Sequence, residues 1–333
     1  MTTPGDRPEY LFVRILEACN ADCFMCEFAS SRDRYRLEPA DLRTMLDRAA
    51  EEGIKYVRLT GGEPLLHRNI VDLVQIISDH GMLASIITNG ARLSSLTREL
   101  AAARLAQVVV SIDAAEPTTH NTIRNTPRLF ERAVSGLRAA IDAGVLGRVN
   151  TVCGPSNFRQ MPALQDLLTQ LRVSQWELSS LKLERPLDYT TADRSELDRV
   201  VEYVYRDAAA AGRLVPTGKV WCGERPDERS LYLRTGITPR ADGVCHLTRK
   251  VRYIDAKAGF LYSCSLIVHR PNAASYGART RASESFSLLE PDVTAQAEWF
   301  REHGPRVCTG CSSTAAGYSN LLARGRPLPP WSF

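Results

Sequence analysis

No apolar run of about 18 residues or more occurs anywhere in this chain, so it offers no candidate for a membrane-spanning helix. Its first residues, Met1-Thr2-Thr3-Pro4-Gly5-Asp6, have none of the apolar character of a secretory signal, and a cytoplasmic protein is expected. Long basic blocks are also missing. With Lys and Arg at 42 against 38 Asp and Glu, the formal charge is only +4, and composition makes no case for a nucleic-acid or membrane partner. Apolar residues at 44% and charged residues at 24% are ordinary for a globular protein. What is present in unusual measure is cysteine. Nine cysteines, an odd number in a reducing compartment, suit thiols and metal ligands better than disulfides. At 333 residues, one large domain with an appended module is expected, divided as residues 1–215 and 216–333.

Three of the cysteines fall within eight residues. Cys19, Cys23 and Cys26 follow the run Tyr10 to Ala18, which reads as a buried strand, and are spaced C-x3-C-x2-C. A structural zinc ion asks for four ligands. A [4Fe–4S] cube asks for one at each iron, so three thiolates on one loop can hold a cube and leave one iron open. On spacing alone, a zinc knuckle or a redox pair with a bystander stays open. About 35 residues on, Ile54 to Thr60 reads as a strand running into Gly61-Gly62-Glu63-Pro64. Paired glycines permit close backbone approach, and the Glu63 carboxylate suits an ammonium group. An ordinary strand-to-loop turn would carry the same residues.

Periodicity then sets an alternating order. Helices are predicted over 41–52, 70–80, 92–104, 128–143, 160–171 and 193–212. Strands are predicted over 54–60, 84–90, 107–113, 148–152 and 175–179. Such alternation predicts an α/β fold with a parallel sheet covered by helices. Ligands of these sheets sit at the carboxyl ends of strands, which gathers Gly61 to Glu63, Thr88, Asn89, Ser111, Asp113 and Asn150 around one mouth.

C-x3-C-x2-C followed by a strand and Gly-Gly-Glu-Pro resembles the radical S-adenosylmethionine (SAM) superfamily, over at least residues 10 to 180. The resemblance implies a partial (β/α)6 TIM-like barrel. It implies a [4Fe–4S] cluster on Cys19, Cys23 and Cys26 whose open iron chelates the amino and carboxylate groups of SAM. Gly61, Gly62 and Glu63 would contact the SAM amino group, Ser111 and Asp113 the ribose hydroxyls, and Arg124 and Asn150 would support the cofactor from the mouth. Met25 stands where the family usually has an aromatic, and its thioether can pack on adenine. The family cleaves SAM to a 5′-deoxyadenosyl radical that abstracts a substrate hydrogen, with electrons from a flavodoxin or ferredoxin-type donor.

The later cysteines form a second pattern. Val251 to Asp255 and Gly259 to Ser263 read as a hairpin with glycine at its turn, set between Cys245 and Cys264; Cys308-Thr-Gly-Cys311 opens a helix to about residue 323. Four thiolates could hold zinc. The pattern also resembles the twitch module, the shortened SPASM extension, which implies an auxiliary [4Fe–4S] cluster on Cys245, Cys264, Cys308 and Cys311. It departs from the molybdenum-cofactor GTP cyclases, whose three-cysteine auxiliary site and Gly-Gly tail are missing. A fully ligated cluster suits electron relay, and the arrangement resembles that of a radical SAM aminocyclitol dehydrogenase. The expected function is therefore hydrogen abstraction from a sugar, aminocyclitol or nucleoside in antibiotic biosynthesis, with an alcohol oxidised to a ketone. Epimerisation and decarboxylation are alternatives.

A peptide maturase is a further alternative, disfavoured because only nine residues precede the first strand, too few for a winged peptide-recognition domain. Cys153 and Cys222 read either as small buried hydrophobes or as hydrogen-atom donors, Cys222 being the preferred donor. Arg252, Lys257, His269 and Arg270 could face an anionic substrate but read first as solvated charges. The segment 327–333 reads as a tail docked by Trp331 or left mobile.

Overall fold

The computed structural model describes residues 7–26, 28, 31, 33–180, 190–214, 216–217 and 246–264, with short stretches at 278–279, 295, 298, 318, 321–328 and 330–332. Six strands follow the predicted alternation: β1 (Tyr10–Leu16), β2 (Tyr56–Gly61), β3 (Leu83–Thr88), β4 (Leu105–Ser111), β5 (Leu146–Cys153) and β6 (Gln175–Ser180). Between them run α1 (Pro39–Glu52), α2 (Ile70–Asp79), α3 (Leu93–Ala102), α4 (Pro117–Ile123), α5 (Leu129–Asp142) and α6 (Met161–Gln170); α7 (Thr191–Glu202) follows β6. All six strands pair in parallel, in the order 6-5-4-3-2-1, and the sheet stays open. The α/β fold expected from the alternation, and the partial barrel implied by the resemblance, are thus observed.

Side-chain alternation decides the two faces. Leu11, Val13 and Ile15 of β1, Val57 and Leu59 of β2, Ala84 and Ile86 of β3, and Val108 and Val110 of β4 join one buried apolar cluster with the helices. On α1 the predicted face of Leu42, Met45, Leu46 and Ala49 packs into it. Each large aliphatic side chain so buried contributes about 1.5–3 kcal/mol.

The opposite face is polar. Arg58 of β2 donates to Gln107 of β4 at 2.7 Å, and Gln107 donates to Gln175 of β6 at 3.0 Å. Each bond skips a strand. Strands two apart are about 9.6 Å apart along the sheet, so such side chains meet only where the sheet curves toward them. These residues therefore line the concave interior, the lumen.

The sequence pattern missed how the sheet continues. The predicted hairpin is present as β7 (Val251–Asp255) and β8 (Phe260–Tyr262), antiparallel, with Gly259 at φ +71° in its turn. Yet β7 also pairs in parallel with β1, Tyr10 opposite Val251 through Arg14 opposite Asp255, and β9 (Ala278–Arg279) adds a ninth strand. The hairpin expected in a separate module thus continues the barrel sheet. Its turn chemistry is local and readable, but a pairing across some 240 residues leaves no periodic trace. Arg252, expected as a solvated charge, is instead buried and donates to the carbonyls of Thr248 and Val251 at 2.7 and 2.9 Å. Burial lowers its pKa to about 10. Lys257 does reach the surface, paired with Asp33 at 2.9 Å.

Trp331 docks, as one of the two readings of the tail has it. Its ring meets Tyr56 edge-on at 4.9 Å between centroids, and the Ser332 amide donates to the Tyr10 hydroxyl at 3.2 Å. Tyr10 and Tyr56 start their strands, so the tail covers the amino-terminal end of the lumen, opposite the mouth. The predicted helix beyond Cys308 lies mostly outside the described residues, as do His269 and Arg270.

Candidate active site

At the carboxyl end of β1 the chain turns into the cysteine loop, and the Gly-Gly-Glu segment clips its stem. The Gly62 amide donates to the Leu16 carbonyl at 3.0 Å, and the Glu63 amide to the Ala18 carbonyl at 2.8 Å. A Cβ on Gly61 would lie 2.3 Å from the Leu16 oxygen; one on Gly62 would lie 2.3 Å from the oxygens of both Glu17 and Ala18. Gly61 also sits at φ +133°, open to glycine alone at little cost. The glycine pair is therefore demanded by the approach of the cysteine loop itself.

Glu63 is buried, and its carboxylate is engaged by its own protein. It accepts from the Leu65 amide at 3.0 Å, the Thr88 hydroxyl at 2.6 Å and the Asn89 amide at 2.7 Å. Burial raises its pKa against those three bonds. The side chain expected to meet an ammonium group thus pins β2 to β3.

Further bonds moor the loop from the other strand ends. Asn89 Nδ2 donates to Asn20 Oδ1 at 2.8 Å, and Asn125 Nδ2 to Asp22 Oδ2 at 2.9 Å. Cys23 is buried, Cys19 half-buried and Cys26 exposed, so the triad runs from the protein interior out to the mouth. Burial raises the Cys19 thiol to about 11, with Glu63 and the other two cysteines adding to it. Met25 is half-buried between them, and Phe24 beside it is 60% exposed.

Among the described residues, no three His, Cys, Asp or Glu side chains converge to hold a single metal ion. A cube sets a different demand, one thiolate at each of three corners. Three thiols on one moored loop, graded from buried to exposed, fit that demand.

Asp113 follows the carboxyl end of β4. It is fully buried, with Oδ2 accepting from Arg124 Nε at 2.6 Å and Oδ1 from the Val152 amide at 3.0 Å. Its own amide donates to His120 Nδ1 at 3.1 Å, and its carbonyl accepts from Asn157 Nδ2 at 2.7 Å. Burial opposes the Arg124 charge, but Asp113 outweighs it and raises the guanidinium pKa. Arg124 NH1 reaches Cys23 Sγ at 3.9 Å. Asp113 thus anchors Arg124 and the Val152 amide. Ser111 and Asn150 face each other across β4 and β5, half-buried, with Asn150 Oδ1 accepting from Arg148 Nε at 3.0 Å.

His120 was not singled out in the sequence, although it lies one helical turn before Arg124. Its ring is fully buried, its pKa is pushed down to about 4 by burial, and Nε2 has no hydrogen-bond partner among the described residues. Cys153 is buried at the end of β5, and burial, then Asp113, pushes its thiol up. Such a thiol matches the small buried hydrophobe of the sequence reading. Cys264 follows β8 and packs against the cluster formed by Tyr10, Phe12, Val251, Tyr253 and Tyr262. Cys222, Cys245, Cys308 and Cys311 lie outside the described residues.

Deeper in the lumen stand two further arginines. Arg58 is buried, donates to Ser85 Oγ and Gln107 Oε1 at 2.7 Å each, and lies 5.5 Å over the Phe12 ring. Burial, with Arg148 adding to it, drives its pKa well below the usual range. Arg148 pairs with Glu177. At the mouth, Arg14 pairs with Glu17 and with Asp255 at 2.8 Å.

Residues 13–168 match the family model described as the radical SAM superfamily. A GTP 3′,8-cyclase of Bradyrhizobium diazoefficiens is 35% identical over 177 residues, 49% of this chain and 50% of that protein. A probable GTP 3′,8-cyclase of Saccharolobus solfataricus is 29% identical over 199 residues, 59% of this chain and 64% of that one. The chain thus spans about half the length of the first of these relatives. Among solved structures, Streptococcus suis SuiB bound to S-adenosylmethionine matches with a TM-score of 0.66 at 16% identity, over 97% of this chain and 76% of that one. The anSMEcpe protein with bound AdoMet matches at 0.66 and 15%, over 95% and 98%. At those identities the likeness is one of fold.

Proposed function

We propose, on the match of residues 13–168 to the radical SAM superfamily model, that the chain is a radical SAM enzyme that abstracts hydrogen from a small, polar, anionic substrate held in the barrel lumen. One observation carries the reading: Cys19, Cys23 and Cys26 stand on a single loop at the carboxyl mouth of a six-stranded parallel sheet, clipped by Gly61 and Gly62, above a lumen lined with arginines. A [4Fe–4S] cluster on that triad would supply the electron that cleaves SAM to a 5′-deoxyadenosyl radical. The protein's own part is placement. The Gly-Gly-Glu clip fixes the loop, the backbone edge at Gly61 and Gly62 offers polar groups near the thiols, and Ser111 and Asn150 line the mouth.

The lumen supports a substrate of stated charge. Arg58 is bonded to two neutral acceptors, and Arg148 pairs with Glu177, so among the described residues two guanidinium groups stand close to one carboxylate there. An anion bound between them would restore the balance. Within the sugar, aminocyclitol and nucleoside class, this favours a phosphorylated nucleoside or sugar, and the relatives named GTP 3′,8-cyclase support the nucleotide. Alcohol oxidation, with a second cluster on Cys245, Cys264, Cys308 and Cys311 taking up the electron, is part of the proposal, and epimerisation is its alternative.

The test is turnover of anaerobically reconstituted full chain with SAM, dithionite and candidate nucleotides or sugar phosphates in D2O. Formation of 5′-deoxyadenosine supports the reading, and its absence with every substrate and reductant overturns it. Product mass separates the outcomes: loss of two hydrogens for oxidation, and one deuterium at unchanged formula for epimerisation. Four irons per chain instead of eight would remove the second cluster.

A further inference from the structure

The mouth contains a charge arrangement that SAM binding by strand-end residues does not require. Asp113 is completely buried and Arg124 is nearly so, with only 13% of its side chain exposed. Withdrawing such a pair from water costs several kcal/mol per ion before its attraction is counted. The protein nonetheless surrounds Asp113 with bonds that fix it: the Val152 amide on Oδ1, Asn157 on its carbonyl and His120 on its amide. The neighbouring residue, Asn125, ties the end of α4 to Asp22 in the cysteine loop. The guanidinium is thereby held in one orientation, with Nε on Asp113 at 2.6 Å and NH1 on Cys23 Sγ at 3.9 Å.

A neutral thiol is a weak acceptor and would gain little from a cation so firmly placed. A thiolate ligating iron is a charged acceptor, and a hydrogen bond to it is roughly twice as strong as a neutral one. Hydrogen bonds to cluster sulfurs are among the means by which a protein sets a cluster's potential.

We propose that Arg124, oriented by Asp113, is a positioning residue that donates to the cluster-bound sulfur of Cys23 and raises the reduction potential of the cluster on Cys19, Cys23 and Cys26. The proposal rests on the reading of that triad as a cluster site. Reduction adds an electron to the cluster, so a fixed positive charge beside one of its sulfurs favours the reduced form. Asp113 serves two ends: it keeps Arg124 from swinging toward solvent, and its carboxylate limits how far the potential rises. Arg124 becomes a determinant of whether a given donor can reduce the cluster at all.

The experiment is an EPR-monitored redox titration of the reconstituted full chain, without SAM or substrate, for the wild type, R124Q and R124K. Iron and sulfide content are measured first. Loading that fails in the wild type, or that survives when Cys19, Cys23 and Cys26 are all replaced by alanine, sinks the cluster reading itself. With loading intact, R124Q is expected to move the midpoint to a more negative value. An expected shift of about tenfold in the reduced-to-oxidised ratio is about 59 mV for a one-electron couple. R124K keeps a cation within reach and should recover part of the shift, which also covers the case in which R124Q folds poorly. A midpoint unchanged in both variants, with only SAM affinity weakened, would make Arg124 a SAM ligand and overturn the inference.

Discussion

Asn89 at the end of β3 donates its side-chain amide to Asn20 Oδ1, 2.8 Å away inside the cysteine loop, while its backbone amide donates to Glu63 Oε2 at 2.7 Å. One residue therefore joins the Gly-Gly-Glu clip to the loop that carries the thiols. The Asn89 oxygen accepts from the Ala91 amide at 2.9 Å, which keeps the side chain from turning away. The geometry of the cysteine loop is set from β2 and β3 as much as from its own sequence.

Asn89→Ala removes the side chain's bonds to Asn20 and Ala91, while the backbone bond to Glu63 survives the change. Loss of two part-buried hydrogen bonds, with the Asn20 oxygen left short of a donor and the Ala91 amide of its acceptor, should destabilise the chain by about 1–3 kcal/mol. The larger effect should fall on the loop. Iron bound after anaerobic reconstitution is expected to drop well below the wild-type level while far-ultraviolet circular dichroism stays unchanged. Full iron loading would show that Asn20 needs no support.

Gly62→Ala is predicted to be more severe, because the new methyl would meet two carbonyl oxygens at 2.3 Å and backbone cannot rotate out of the way as a side chain can. Overpacking of this kind costs about 1–3 kcal/mol. Gly53→Ala is the control, since a Cβ there meets nothing within 4 Å although its φ is +91°. Thermal melts should show both variants weakened, and only Gly62→Ala should lose iron. Equal loss of iron in the two would mean general instability rather than a displaced loop.

Much of this site was legible before any coordinates. The cysteine spacing, the Gly-Gly-Glu-Pro strand end and the alternation of periods each act over a few residues, and each gave its element within a few positions. The partners of Asp113 were not legible, because a polar residue at a strand end reads the same whether or not its own protein engages it; its burial and its bonds to Arg124 and Val152 come only with the fold. The bonds of Glu63 to Leu65, Thr88 and Asn89 went unread for the same reason. Arg58 went unremarked because a lone arginine in a strand reads as an edge charge, and the concave face that buries it exists only once six strands curve together. The parallel pairing of β7 with β1 is likewise a contact between distant segments.

His120 gives a prediction with a definite sign. Its folded-state pKa of about 4 lies below the ordinary histidine value of about 6.5, because burial opposes the charged ring. Between those values the unfolded chain binds the proton and the folded chain does not, so folding stability rises with pH across the window. The contribution is complete above about pH 6.5 and is lost as pH falls toward 4, a change of about 3 kcal/mol. Urea midpoints should therefore fall from pH 7 to pH 4.5, and His120→Gln should show a shallower fall in the same window. Parallel slopes in the two proteins would assign the acid sensitivity elsewhere.

Arg58 separates stability from ligand binding. Its donors meet Ser85 and Gln107, both neutral, and its charge lies buried near that of Arg148. Removing a buried charge relieves its desolvation and its repulsion with Arg148, which offsets the loss of the donors to Ser85 and Gln107. Arg58→Met keeps the packing against Phe12, leaves Gln107 its bond to Gln175 and removes the repulsion with Arg148. The unliganded variant should melt within a few degrees of the wild type, or above it. If the lumen takes a phosphorylated substrate, the same variant should lose most of the melting-temperature rise that GTP produces in the wild type, and its apparent affinity should weaken about tenfold or more. That loss should shrink as salt is raised, since the missing interaction is between charges. A variant that melts far lower yet keeps the full GTP response would show that Arg58 holds the barrel together and that anions bind elsewhere.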